Sequence, residues 1–300
     1  MSVPAPAVTR RRASPWLFSF IMCGPAVLLY GGFIFIPAIL GFGYSFTDWT
    51  GWSAKTHFVG LANFRELFQD DLFYTCLRFT LFQTFFIVLF FSFGTMVLAV
   101  MLERARMAKG LIRALFFYPY VLSILVGGLI FQWLSNYRDG AINVLLRSVG
   151  LESWTQEWMG PAWAPWLLLA FVFWQELGFF TTLYIANLQT IPEDLYEAAE
   201  LDGAGPVAVF RHVQWPMLMP TLATNSVLSL ILGINLFGQI VVLWESPRTD
   251  TFTLGYYIYH LGIRSNRQGY ATAVSLVAFV ALVIVAVVQV RIIRRREVQL

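Results

Sequence analysis

Few side chains in this 300-residue chain have the types and spacing for a reaction. The three histidines, His57, His212 and His260, stand far apart, with no partner at metal-ligand spacing. Cys23 and Cys76 lie in or beside apolar runs without a CxxC, the pattern of small buried hydrophobes. No GxxxxGK[ST] phosphate loop occurs, and the apolar runs hold neither paired acids nor a His/Asp cluster. No catalytic residue and no metal site is therefore expected. What remains is hydrogen-bonding chemistry set in grease. Trp174-Gln175-Glu176 falls midway through one apolar run, and Asn235, Phe237 and Gln239 lie in another. Gln132 and Trp133 close a third. Polar groups in such places are costly and often functional, yet amides also hold membrane helices together, so both uses stay open. Glu176 is better placed as a helix–helix partner than as a proton carrier.

The elements that carry these groups follow from composition. Hydrophobic residues make up 58% of the chain and charged residues 12%, against about 25% charged in soluble domains. Mean hydropathy is +0.67, which marks an all-α polytopic membrane protein. A net charge of +3 is too small to suggest nucleic acid. The start, "MSVPAPAVTRRRASPWLFSF", has the look of a secretory signal, but its apolar stretch runs over 16–46 and no A-x-A site closes it. It is read as a retained first membrane helix. A bilayer core of about 30 Å needs roughly 20 helical residues. Six stretches meet that length: 16–46, 73–103, 112–136, 164–188, 217–243 and 269–293. Pro25 and Pro37 are expected to kink the first.

Basic residues orient the bundle. Arg10, Arg11 and Arg12 precede the first span, Arg104, Arg106, Lys109 and Arg113 link the second and third, and Arg291, Arg294, Arg295 and Arg296 follow the sixth. All fall on one face, which the positive-inside rule makes cytoplasmic. Both tails, 1–15 and 294–300, are then cytoplasmic, and 16–293 forms the membrane domain. The opposite face carries most of the acids, among them Asp48, Glu66, Asp70, Asp71, Asp139, Glu152, Glu157, Glu245 and Asp250.

On this topology the link 189–216, between spans four and five, is cytoplasmic. It contains "LYEAAELDGAG" at 195–205. Pro192, Glu193 and Asp194 make a helix start, since the dipole favours acids in the first turn. Gly203 is the expected stop, with Ala204-Gly205-Pro206 as the turn. A second short piece, about 207–212, leads to Trp215-Pro216. The result is a small helix-turn-helix whose small residues let a partner approach closely.

Glu197-Ala198-Ala199, three residues, Gly203, nine residues and Val213-Gln214-Trp215-Pro216 resemble the EAA loop of ABC-importer permeases. Val213 and Trp215 replace the family's Ile and Leu but remain apolar. "SFTDW" at 45–49, "FVGLANFRELF" at 58–68 and "GLIRALFFYPYVLS" at 110–123 resemble the carbohydrate-type subfamily. So do "GLIFQWL" at 128–134, "IANLQTIPEDLYEAAELDGAG" at 185–205 and "GYATAVS" at 269–275. One departure is the subfamily's Thr-x-Gly-Gly-Pro element; here "LWESPRTDTFTL" (243–254) keeps Pro247 without the glycine pair.

The resemblance implies the type I ABC-importer permease fold and a plasma (inner) membrane location in a bacterium or archaeon. It implies half of a binding-protein-dependent translocation pathway for a sugar, polyol or glycerol phosphate. No cofactor is expected on this chain; ATP and Mg belong to a separate, dimeric cytoplasmic ATPase. Glu197, Ala198, Ala199, Asp202, Gly203, Ala204 and Arg211 would couple to that ATPase. A second homologous permease would complete the pore, and an extracytoplasmic solute-binding protein would dock on 137–163 and 244–268. Gln132, Trp133, Trp174, Gln175, Glu176, Asn235, Phe237 and Gln239, with Phe179, would offer amides and aromatic faces to a sugar. Neutral sugars are favoured because the spans offer no buried Arg or Lys for a phosphate. The rival readings are weaker: a secondary transporter would need more intramembrane acids than Glu176, and a channel would need a selectivity element.

Overall fold

The computed structural model describes residues 15–53, 55–104, 109–244 and 247–294. Arg10, Arg11, Arg12, Arg106, Glu245, Arg295 and Arg296, and with them nearly all of both predicted tails, lie outside the described residues. The helices are α1 (Met22–Tyr44), α2 (Ala62–Leu67), α3 (Asp71–Glu103), α4 (Gly110–Val121), α5 (Ile124–Ser135) and α6 (Ala141–Ser148). They continue as α7 (Ala164–Leu188), α8 (Glu193–Leu201), α9 (Pro206–Ile234), α10 (Gly238–Leu243), α11 (Leu254–Tyr259) and α12 (Gln268–Arg294). Among the described residues no strand forms beyond an isolated Thr47–Phe58 bridge. Among the described residues five helices, α1, α3, α7, α9 and α12, are long and apolar enough to cross a membrane, and the bent pair α4–α5 has the combined length and hydropathy for a sixth, broken span or a re-entrant loop.

The fourth predicted span, 164–188, coincides with α7, and the sixth lies within α12. The third and fifth are corrected. Instead of one helix over 112–136, α4 and α5 meet at a 98° bend. Pro119 sits in the last turn of α4, and the Leu122 N–H reaches only back to its carbonyl, at 3.2 Å. Ser123 is then extended (φ −62°, ψ 147°), and its hydroxyl accepts from the Val126 N–H at 3.3 Å. That is an N-cap, so α5 begins afresh.

The fifth span is shifted. α9 runs unbroken from Pro206, absorbing the predicted 207–212 piece through a π-helical turn at Phe210–Gln214, and stops at Ile234. The Asn235 amide donates to the Ile231 carbonyl at 2.9 Å, and the Leu236 carbonyl accepts the Thr253 hydroxyl instead of a helical N–H. A side chain that bonds back to the helix end competes with propagation. The first span also departs from a simple proline kink, because a π-helical turn at Gly31–Phe35 lies just before Pro37.

Small residues bring the spans together. A Cβ on Gly233 of α9 would lie 2.8 Å from Thr84 of α3, and one on Gly178 of α7 would lie 2.5 Å from the Phe116 carbonyl of α4. Buried bonds add to this contact. Ser92 and Ser226 share a hydroxyl–hydroxyl bond of 2.8 Å, the Tyr184 hydroxyl donates to the Ser92 carbonyl at 2.6 Å, and Asn225 donates to the Phe180 carbonyl at 3.1 Å. Such interhelical bonds contribute about 0.6 kcal/mol each on average. Two apolar cores result. One gathers Phe91, Phe171, Ile240 and Tyr257; the other gathers Met96, Tyr184, Leu188 and Leu218 next to α8. α1 stands apart against α12, with none of its apolar stretch buried.

The end of the bundle opposite α8, called here the far end, is pinned by polar residues. Asp70 caps α3, accepting from the Leu72 and Phe73 N–H groups at 2.9 and 3.3 Å. Its other oxygen accepts the Tyr270 hydroxyl of α12 at 2.7 Å and the Tyr257 hydroxyl of α11. Arg267 pairs with both oxygens of Glu66, at 2.6 and 2.7 Å. Asn63 donates to the carbonyls of Ser45 and Thr47, and the Gly269 N–H donates to the Trp49 carbonyl at 2.8 Å. A Cβ on Gly269 would lie 2.1 Å from the Thr47 carbonyl oxygen, so only glycine fits. The neighbouring motifs 45–49 and 58–68 thus form one structural joint with 269–275, some two hundred residues on.

Candidate functional site

The link between α7 and α9 forms a knob at one end of the bundle. Pro192 is extended, and Glu193 and Asp194 open α8. The stop is a Schellman motif: the Ala204 N–H reaches the Ala199 carbonyl at 2.9 Å and the Gly203 N–H reaches the Glu200 carbonyl at 3.0 Å. Gly203 adopts φ +70°, a left-handed conformation that favours glycine. Nothing lies within 4 Å of where its Cβ would be. Within this chain Gly203 is therefore required by backbone conformation, not by crowding.

No residue of α8 is buried. Glu197, Ala198, Asp202 and Arg211 are exposed, while Ala199 and Ala204 are half-buried. The predicted ATPase-coupling residues are therefore brought onto one small knob, although Arg211 sits on α9 rather than on a separate helix. At its tip Leu201 is 90% exposed and Val207 79% exposed. Among the described residues nothing covers these apolar side chains.

Sequence reasoning missed what holds the knob in place. Tyr196, half-buried, turns toward the second core, and its hydroxyl accepts from the Gln214 amide at 3.3 Å. Phe210, Val213 and Trp215 pack on the same core. A cavity of about 630 Å³ behind the knob is lined by Tyr196, Glu200, Ala204, Val209, Gln214 and Glu103. The available signal was the lone aromatic in an otherwise small and acidic helix, three residues before Ala199.

The predicted pathway residues divide. α5, α7 and α10 meet in the far-end half of the bundle. There Phe131 packs on Trp174 (centroids 5.4 Å apart), and a Cβ on Gly127 would touch both Phe171 and Trp174. Gln132 donates to the Val242 and Leu243 carbonyls at 2.8 and 3.3 Å, closing the end of α10. Its amide nitrogen is thus engaged in structure. Trp133 is 64% exposed, Gln175 and Gln239 are buried, and Glu176 and Phe237 are half-buried. Phe179 stacks on Tyr120 at 5.1 Å. Asn235 and Gln239 do not share a helical face, because the break at 235–237 separates them: Asn235 caps α9 and is exposed, while Gln239 lies in α10. Among the described residues no cluster of His, Cys, Asp or Glu could hold a metal ion.

Comparison with known proteins agrees with this architecture. Residues 8–298 match the family described as binding-protein-dependent transport system inner membrane component. The multiple sugar-binding transport system permease protein MsmF of Streptococcus mutans is 33% identical over 289 residues, covering 94% of this chain and 97% of that protein. The arabinooligosaccharides transport system permease protein AraP of Bacillus subtilis is 29% identical, covering 94% of this chain and 89% of its own length. The fold matches a crystal structure of a bacterial alginate ABC transporter in complex with an alginate pentasaccharide-bound periplasmic protein. Its TM-score is 0.83 at 24% identity, over 93% of this chain and 94% of that one. With its length matched almost end to end, this chain belongs to the family of binding-protein-dependent transport system inner membrane components.

Proposed function

We propose that this chain forms half of the membrane pathway of an ATP-driven importer for a neutral sugar or short oligosaccharide. The observation that carries the reading is the knob: an exposed α8 with apolar Leu201 at its end, joined through the tight turn at Gly203 to α9, whose first turn exposes apolar Val207. Its end of the bundle is cytoplasmic, as are both termini, and it seats in a groove of a separate ATPase subunit. Ala198, Ala199, Gly203 and Ala204 give the close fit there, and Glu197, Asp202 and Arg211 supply polar contacts. ATP and Mg act on that partner, and this chain contributes no cofactor site. α9 is a 29-residue rod, roughly 43 Å long at 1.5 Å per residue, so displacement at Pro206 reaches the break at Asn235. There α5, α7 and α10 meet, and Trp174, Gln175, Glu176, Phe237 and Gln239, with Trp133, form the sugar path. None of the buried polar residues in the described chain is Arg or Lys, which favours uncharged cargo over a phosphate.

A second permease of the same family completes the pore, and a solute-binding protein docks at the far end, where 247–267 and the polar edge of 137–163 are presented. The names of the relatives, which concern sugars and arabinooligosaccharides, support this cargo class. The test is uptake of a labelled panel of mono-, di- and oligosaccharides, polyols and glycerol phosphate by cells with and without the gene. Loss of uptake of one carbohydrate supports the proposal. A null strain that loses only a phosphate ester or a non-carbohydrate rejects the cargo, and uptake that persists after ATP depletion rejects the mechanism.

A further inference from the structure

The far-end loop 137–163 contains a helix, α6, whose polarity is reversed relative to a water-facing loop. Its amide residue Asn143 is fully buried. Asn143 Nδ2 donates to the carbonyls of Tyr137 and Gln156 at 3.1 and 2.9 Å. Its Oδ1 accepts from the Trp158 indole at 2.8 Å and from the Gln156 N–H at 3.3 Å. The guanidinium of Arg147 donates to the carbonyls of Arg138 and Tyr137 at 2.7 and 2.9 Å. These polar groups are satisfied within the loop itself.

The outward face is mainly apolar, with exposed Ser148 on it and exposed Arg147 at its edge. Val144, Leu145 and Val149 lie on it, with Leu151 and Trp154 just beyond, and all five are exposed, Leu145 at 64% and Trp154 at 66%. Fraying does not account for this. The helix ends in a Schellman motif, with Gly150 at φ +80° and the Leu151 N–H on the Leu146 carbonyl at 2.8 Å. A closed helix that satisfies its polar groups inward and leaves five apolar side chains outward needs an apolar cover.

Its surroundings identify the cover. α6 packs against α5, and exposed Tyr137 follows directly on the end of α5. Across the loop, Trp163 and Trp166 are exposed at the start of α7. Indole and phenol rings at the ends of membrane helices mark the headgroup level of a bilayer. The apolar face of α6 continues that aromatic belt.

We propose that α6 lies in the membrane interface at the far end, with Val144, Leu145, Val149, Leu151 and Trp154 immersed at the headgroup–acyl boundary. An amphipathic helix of this kind binds lipid through its buried apolar face. It anchors the end of α5, one of the two short helices of the bent pair. It also removes this face from any contact with a soluble partner, leaving the polar edge of the loop for docking. The inference is independent of the cargo.

The test places a nitroxide at Leu145→Cys or Val149→Cys, with Glu152→Cys as the water-facing control, in a Cys23→Ser, Cys76→Ala background. The chain is reconstituted in nanodiscs with the subunits that co-purify with it, and transport activity reports that each variant is folded. Labels at 145 and 149 are expected to collide more often with oxygen than with a water-soluble nickel chelate, while the label at 152 shows the reverse order. Chelate-dominated collisions at 145 and 149 overturn the proposal. So does exclusion of both reagents, which would mean cover by protein, or immobilisation that appears only after a substrate-loaded binding protein is added.

Discussion

At the scale of single residues, two positions separate conformation from contact. Gly203 needs its left-handed backbone, and a branched residue there costs about 1–2 kcal/mol. Open space around it means that the bundle itself does not feel the side chain. Gly203→Leu is therefore expected to insert and purify normally while losing most of the ATPase subunit that the proposed function seats on the knob. Gly203→Asn, which tolerates the backbone, should retain more. Equal retention by both variants would show that no partner packs there.

Asp70 is the second such position. Burial pushes its carboxyl up, but the Tyr257 and Tyr270 hydroxyls and the Phe73 and Leu72 N–H groups outweigh burial and hold it below the ordinary range. A lowered folded value contributes stability that is present above the unfolded value of about 3.9 and is lost as pH falls through the folded value. Thermal melts are thus expected to fall in midpoint as pH drops below about 4, where the unfolded chain takes up this proton first, and to stop falling on this account once the folded carboxylate is protonated too. Asp70→Asn should flatten part of that fall, and Asp70→Ala, which also removes the cap, should cost about 1 kcal/mol or more at neutral pH. Asp70 was legible in the sequence only as one acid among many, because its phenol partners lie 187 and 200 residues away.

At the scale of elements, the straight spans were readable and the broken ones were not. Length and hydropathy place α7 at 164–188 and α12 near 269–293, since both are uniform apolar runs. Those measures are blind to the bend at Leu122–Ser123 and the break at Asn235–Phe237, because the residues that make them remain apolar or small. Pro119 and Ser123 were visible, but a proline inside a membrane helix is often tolerated, and only the packing of α5 across α7 decides for a break. α6 was missed for the converse reason: eight residues between glycines read as loop. Packing at this scale makes a sharp forecast. Gly178→Val would drive a side chain into the α4 backbone at Phe116 and Phe117, at a cost of about 1–3 kcal/mol. Less folded protein should be extracted, with a lower melting midpoint, whereas Gly205→Val, at a glycine with nothing nearby, should leave both unchanged.

At the scale of the whole molecule, the knob and the α5–α7–α10 meeting point lie at the two ends of one continuous rod, α9. Substitutions at the two ends should therefore separate in phenotype. Trp174→Ala is expected to reduce sugar uptake several-fold while ATPase association stays intact, the opposite of the pattern expected for Gly203→Leu. Joint loss of both properties in Trp174→Ala would mean that Trp174 only holds the bundle together. Orientation is tested by Ala198→Cys in a Cys23→Ser background, which should react with an impermeant maleimide in inside-out vesicles stripped of peripheral subunits and not in intact cells.

The sequence by itself determined that this chain is a multi-span membrane protein, and it marked the long helices α7 and α12. It also located the knob, with its glycine stop. These are local properties: hydropathy sums over neighbours, and a cap needs only the residues beside it. The tertiary structure alone decided which amides are engaged in holding the fold. It showed Gln132 engaged on the end of α10, Asn235 and Gln239 on different helices, and Asp70 tied to two distant phenols. It also turned the apolar face of α6 outward. Each of these depends on backbone groups left open by a break or a cap elsewhere in the chain, and a linear pattern carries no record of which distant side chain will reach them.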